Sequence, residues 1–149
     1  MLVGSEPTVD DRWAAAARDV PGGWGGVYKD GATLVLYLVD TTRLEDATAA
    51  LVTLGILPGT DSRLVTARQG RWDFSQLHEW YRYLTPQLVH DDGFASAGID
   101  EAHNRITYGV TDNAARTRFE RVLAGLGVPC FLVALEVTGP IIAQAPGTR

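Results

Sequence analysis

The sequence predicts an α+β fold of two duplicated β-β-α-β halves. Their antiparallel-rich sheets are covered by helices, a central helix joins them, and an extra helix precedes them. Three observations predict this. Strand-like and helix-like stretches recur in the same order twice, a turn separates the first two strands of each half, and a glycine stops each half's helix, Gly55 and then Gly127. A shift of 71 residues lays Val35 on Ile106, Tyr37 on Tyr108 and Val39 on Val110, and a shift of 72 lays Leu51 on Leu123, Leu54 on Leu126 and Gly55 on Gly127. The expected layout is an N-terminal helix with a glycine-rich lead-in over 1–23, a first half over 24–72, a bridging helix over 73–90, a second half over 91–137 and a tail over 138–149.

Taken in order, Thr8 followed three residues later by Asp11 is a capping-box pattern, and it opens an alanine-rich helix that runs through Trp13 to Arg18 and ends at Pro21-Gly22-Gly23. Trp24 to Asp30 and Thr33 to Val39 read as strands of a hairpin turning at Asp30-Gly31. A second helix is expected from Thr42, capped by Thr42 with Glu45 reaching back, with Leu44, Ala47, Leu51 and Leu54 on one face. Leu64 to Ala67 is a short strand. Asp73 with Gln76 opens the bridging helix, whose apolar face holds Phe74, Leu77, Trp80, Tyr81, Leu84 and Leu88 and which Pro86 kinks or ends. The second half follows as strands Phe94 to Ile99 and Arg105 to Val110, helix Asn113 to Leu126, and strand Phe131 to Val137.

In the second half Ile106, Tyr108 and Val110 alternate with Arg105, Thr107 and Gly109, the pattern of a sheet with one buried face. In the first half Leu34, Leu36 and Leu38 make the alternate positions apolar too, so this strand has two apolar faces. Either the N-terminal helix around Trp13 or a partner must cover the second face.

At 149 residues the chain has room for one domain or two small halves sharing a core, which excludes motor ATPases and large multidomain hydrolases. With 46% apolar and 21% charged residues it has the balance of a globular protein. A net charge of −5 gives no general attraction to nucleic acid or anionic membranes. The single cysteine, Cys130, precedes the apolar run Phe131 to Leu135 and is expected to be a buried thiol. The N-terminus lacks a basic segment followed by an apolar stretch, so the sequence as written predicts a cytoplasmic protein, or a secreted one if it is a processed form.

Motifs for chemistry fail on context. Gly22-Gly23-Trp24-Gly25-Gly26 precedes a strand instead of linking a strand to a helix, and Tyr28 stands where a dinucleotide fingerprint needs its third glycine. Asp100-Glu101-Ala102-His103 spells a helicase box without its phosphate-loop partner. His78-Glu79 starts a zinc-protease motif whose second histidine position is Arg82, a cation that cannot ligate zinc. The stretch around Ser96 has its first glycine one residue too early for a hydrolase elbow. No nucleophile, base and orienting acid form a recognisable set, so the chain is not expected to be an enzyme, and neither metal nor cofactor is expected.

From Gly25 onward the sequence resembles the prodomains of secreted chymotrypsin-like bacterial serine proteases, the α-lytic protease and streptogrisin group. The residues that carry the resemblance are Gly25-Gly26-Val27-Tyr28-Lys29-Asp30 leading into Thr33 to Asp40, Phe74-Ser75-Gln76-Leu77, and Gly98-Ile99-Asp100 with Asn104. The resemblance covers about three quarters of the chain. It implies a non-catalytic folding helper and inhibitor that docks a sheet on its protease and places a C-terminal segment in the cleft. Gly98 stands where such prodomains commonly have tryptophan, and no protease domain follows in this sequence.

The leading expectation is therefore a protein-binding module, with a serine protease or another protein as partner, engaged through a sheet edge or face and through the tail. Its candidate residues are Tyr28, Leu36, Leu38, Pro140, Ile141 and Ile142. The alternative is a small-molecule or peptide receptor with a pocket between the halves lined by Trp72, Trp80, Tyr81 and Tyr83. An enzyme using Asp100, Glu101 and His103 ranks last. Edge-to-edge pairing of sheets into a homodimer is a further possibility.

Overall fold

The computed structural model describes residues 7–59 and 64–139. Helix α1 (Val9–Ala17) is followed by β1 (Trp24–Asp30), β2 (Thr33–Leu38), α2 (Leu44–Thr53), β3 (Val65–Gln69), α3 (Phe74–Leu88), β4 (Phe94–Asp100), β5 (Arg105–Val110), α4 (Asn113–Gly125) and β6 (Val133–Val137). Two three-stranded sheets result, ordered β1-β2-β3 and β4-β5-β6. In each, the first pair is antiparallel and the second parallel, as a β-β-α-β unit requires when its helix carries the chain back across the sheet. The duplicated α+β architecture is the one the sequence predicts.

Two helix starts follow the local code. The Asp11 N–H donates to Thr8 Oγ1 at 3.1 Å while the Thr8 N–H donates to Asp11 Oδ2 at 2.9 Å, and Asp73 and Gln76 make the same reciprocal pair at the head of α3. The start of α2 differs from expectation. Asp40, not Thr42, is the cap: its Oδ1 accepts from the Thr42 N–H at 3.0 Å, and a 3-10 turn over Thr41–Arg43 leads into the helix. Pro86 does not end α3, which runs on to Leu88. Gly55 and Gly127 follow the two sheet-covering helices with φ of +75° and +68°, the left-handed conformation that stops a helix.

The register of the repeat also differs. Asp30 pairs with Thr33 across a two-residue turn, whereas Asp100 pairs with Arg105 across four residues. The halves are thus offset by 70 residues before the turn (Trp24 to Phe94) and by 72 after it (Leu38 to Val110). Leu34, Leu36 and Leu38, not Val35, Tyr37 and Val39, are the counterparts of Ile106, Tyr108 and Val110. A slip of one residue turns every side chain to the other face, so the core side of β2 is its leucine side. Leu36 and Leu38 are fully buried, in one continuous core with Trp24, Leu51, Phe74, Leu84, Tyr108 and Phe119. Trp13 of α1 closes this core edge-on to Phe74, with ring centroids 5.4 Å apart. Tyr108 donates to or accepts from Thr85 Oγ1 at 2.9 Å, and burial pushes its phenol up to about 12.

The second apolar face of β2 is the one bearing Val35 and Tyr37. Tyr28 lies beside Val35 on β1, with its ring 5.8 Å from that of Tyr37, and Arg68 on β3 donates to the Tyr28 hydroxyl at 2.8 Å. The β4–β5 turn completes the cover, since Tyr37 donates its hydroxyl proton to the Ala102 carbonyl at 2.8 Å.

Candidate functional site

The two halves meet at Asn104, the last residue of the four-residue turn. Its φ of +53° is a conformation asparagine tolerates better than most residues, and the side chain is held inside the protein. Its Oδ1 accepts from the Arg71 N–H at 2.8 Å and the Trp72 N–H at 3.1 Å, while its Nδ2 donates to the Trp72 carbonyl at 2.9 Å. The amide passes between Gly25 and Gly70. A Cβ on Gly25 would collide with Asn104 Nδ2 and the Trp72 carbonyl, so the bulge in β1 between Trp24 and Gly26 needs glycine at its centre.

Beside this joint opens a cleft of about 410 Å³ between the halves. From the first half Tyr37, Gln69 and Arg71 line it, and from the second His103, Arg105 and Phe131. Its charge is predominantly cationic. Arg71 lies over the Phe131 ring, 4.3 Å from the centroid, and no carboxylate among the described residues pairs with it. Among the described residues Arg105 Nε is buried without a hydrogen-bond partner, and the carboxylate oxygen that approaches it, Asp100 Oδ2, is 3.9 Å away and already bound by His103 Nδ1 at 2.8 Å. Phe131 is 67% exposed and has a φ of +69°, an unusual backbone conformation for an aromatic residue.

Phe131 and Val133 also line a second depression, of about 570 Å³, between α4 and β6. Its floor is apolar, with Leu123, Ala124, Val128 and Leu135, and its rim carries the Arg116–Glu120 ion pair at 3.2 Å. This groove follows a sheet edge. The Ile106 N–H donates to the Leu132 carbonyl and the Thr138 N–H to the Val110 carbonyl, each at 2.8 Å, so the even-numbered residues of β6 turn their backbone groups toward β5. By alternation Val133, Leu135 and Val137 turn theirs outward, and among the described residues no strand pairs with that side.

The residues singled out in the sequence are scattered by comparison. Leu36 and Leu38 belong to the core and offer no surface to a partner, a consequence of the one-residue register difference. Tyr28 is half-buried on the outer face of the first sheet, bonded to Arg68. Pro140, Ile141 and Ile142 lie outside the described residues. Trp80 and Tyr83 pack edge-to-face at 6.0 Å and share a depression with Glu79 and Leu126, but Trp72 and Tyr81 do not line it, and none of the four lines the cleft between the halves. Asp100 and His103 come together, whereas Glu101 packs toward Gly26 and α1, where burial first, and then Asp10, raise its carboxyl. His78 holds α1 on α3 through Asp11 at 2.8 Å. Cys130 is exposed, not buried: the apolar run after it begins with Phe131, which turns outward, and the first buried residue is Leu132.

Sequence reasoning missed the pairing of Arg71 with Arg105 and the groove beside β6. Neither has a motif, because both arise where one half lies against the other or a helix lies against an edge strand. In comparison with known proteins, no protein-family model matches the sequence and no curated protein matches it.

Proposed function

We propose that this chain is a non-catalytic protein-binding module that takes an extended segment of its partner as a fourth strand on the outer edge of β6. One observation carries the reading. The outward backbone groups of Val133, Leu135 and Val137 form an edge along which Val133 and Leu135 border a groove with an apolar floor, whose far wall is α4, so an added strand gains main-chain hydrogen bonds and apolar contact together. Such an edge is otherwise a site of indiscriminate pairing, and a built groove beside it supplies selection. The resemblance to protease prodomains supports the same reading and points to a secreted serine protease as the partner class.

Amide deuterium exchange tests the proposal, with extended peptides selected from a random octapeptide library. Bound peptide slows exchange at Val133, Leu135 and Val137. Val137→Pro removes one outward N–H and leaves the ladder to β5 intact, so binding weakens about fivefold, the equivalent of one hydrogen bond of about 1 kcal/mol. Peptides that protect a different surface, or that bind the proline variant unchanged, would refute it.

A further inference from the structure

The groove has a direction. It follows β6, and at the end where β6 begins it runs past Phe131 into the cationic cleft between the halves, the two depressions sharing Phe131 and Val133. A strand added antiparallel to β6 travels toward that end, so its last residues arrive beside Arg71 and Arg105. We propose that the partner segment is a free C-terminus, laid antiparallel on β6, whose α-carboxylate is held in the cleft by Arg71 and Arg105. This rests on the strand-addition reading given above.

Charge complementarity selects the occupant. In a chain of net charge −5, the cleft is lined by two guanidinium groups and a histidine and by no carboxylate, the nearby Asp100 being held by His103 at 2.8 Å and lying 3.9 Å from Arg105. The Arg105 side chain is about one-third exposed and makes no side-chain hydrogen bond among the described residues, so its accessible N–H donors are open to a ligand, and a planar carboxylate suits a guanidinium fork. Arg71 is held over the Phe131 ring, which directs its guanidinium without consuming its N–H donors. Phe131 keeps its left-handed backbone and its exposure at the point where the apolar groove gives way to the cationic cleft. An internal segment brings a carboxylate to this end only where an acidic side chain falls in register with the cleft. A chain terminus brings one, and the apolar floor takes its preceding side chains.

The test compares two libraries of random octapeptides, one with free C-termini and one with C-terminal amides, on the full chain. The best binder is then measured in both forms by isothermal titration, with the site read by amide exchange. The acid binds about tenfold or more tightly than its amide, as one charge-assisted pair implies. Arg71→Gln, at an exposed side chain that rests on the exposed Phe131 ring, narrows the gap to about twofold, and Arg105→Gln does the same. The acid–amide comparison uses the wild-type chain, so it holds even if a variant folds poorly.

Equal binding of acid and amide, with β6 protected by both, overturns the carboxylate proposal and leaves strand addition standing. Failure of both libraries to protect β6 overturns both. Acetate or inorganic phosphate alone, saturating the cleft at the concentrations where the peptide acid does, makes it a small-anion site and overturns the proposal. Protection of Val133, Leu135 and Val137 before any peptide is added assigns the edge to residues 140–149 of this chain if it is independent of concentration, and to a second copy if it is not. Either result also overturns the proposal.

Discussion

Replacing Asn104 separates what its side chain contributes from what its backbone conformation costs. Asn104→Ala leaves the Arg71 and Trp72 N–H groups and the Trp72 carbonyl without their partner in a buried joint, a loss of about 2 kcal/mol. It also places an alanine at a φ of +53°, which adds about 1 kcal/mol. The variant should therefore be about 3 kcal/mol less stable, a large share of the roughly 5–15 kcal/mol that holds a domain together. Asn104→Gly removes the same hydrogen bonds without the backbone cost and should lose about 2 kcal/mol, reflecting the amide alone. Urea denaturation followed by tryptophan fluorescence measures both, and an unchanged slope with denaturant confirms that the change is one of stability. Two variants within about 0.5 kcal/mol of wild type, the range of ordinary surface substitutions, would refute the role of Asn104 as the joint. A glycine variant less stable than the alanine variant would refute the assignment of the backbone cost.

Leu36→Ala should cost about 3 kcal/mol, because its side chain is fully buried, and should leave peptide affinity on β6 unchanged; calorimetric unfolding and titration check the two halves of this statement. Cys130 should react with a disulfide reagent in the folded protein at nearly the rate of a small free thiol, and a rate limited by unfolding would contradict its exposure. Arg118 holds the Asp91 carboxyl down to about 2 through bonds of 2.8 and 3.1 Å, with the Gly93 N–H assisting. Stability from this depressed carboxyl is fully present above its ordinary value near 4 and is lost as pH falls through 2. Arg118→Ala should raise the Asp91 midpoint toward its ordinary value, as read from the carboxyl carbon by NMR titration, and a midpoint still near 2 would show that Arg118 is not its cause.

Whatever a short stretch of chain decides by itself was legible in the sequence. Thr8 with Asp11 and Asp73 with Gln76 each cap a helix through atoms three residues apart, and Gly55 and Gly127 stop helices through their own φ. The start of α2 was less legible because Asp40 and Thr42 are both capping residues within two positions, and Asp40 takes the role by accepting from both the Thr42 N–H and the Thr42 hydroxyl. The register of β2 was hidden by its composition. With apolar side chains on both faces from Leu34 to Val39, alternation fixes no phase, and the difference lies in the length of a turn in the other half. Cys130 was misread for a related reason, since an apolar run says nothing of the residue at which the backbone turns outward. The candidate site lay beyond local reading altogether: Arg71 and Arg105 are 34 positions apart and meet only because Asn104 closes the joint between the halves.

The unequal hairpin turns bear on how many such units can join. The second half supplies the projecting Asn104 and the first half supplies the notch that receives it, with Gly25 and Gly70 as its walls. The reverse engagement has neither part. The first half's turn is two residues shorter, and in the second half Ala95 and Thr138 stand where the first has Gly25 and Gly70. A head-to-tail contact that repeated would propagate into an open filament. Here the donor lies only on one half and the acceptor only on the other, and each is consumed by its neighbour in the same chain, so the series terminates at two.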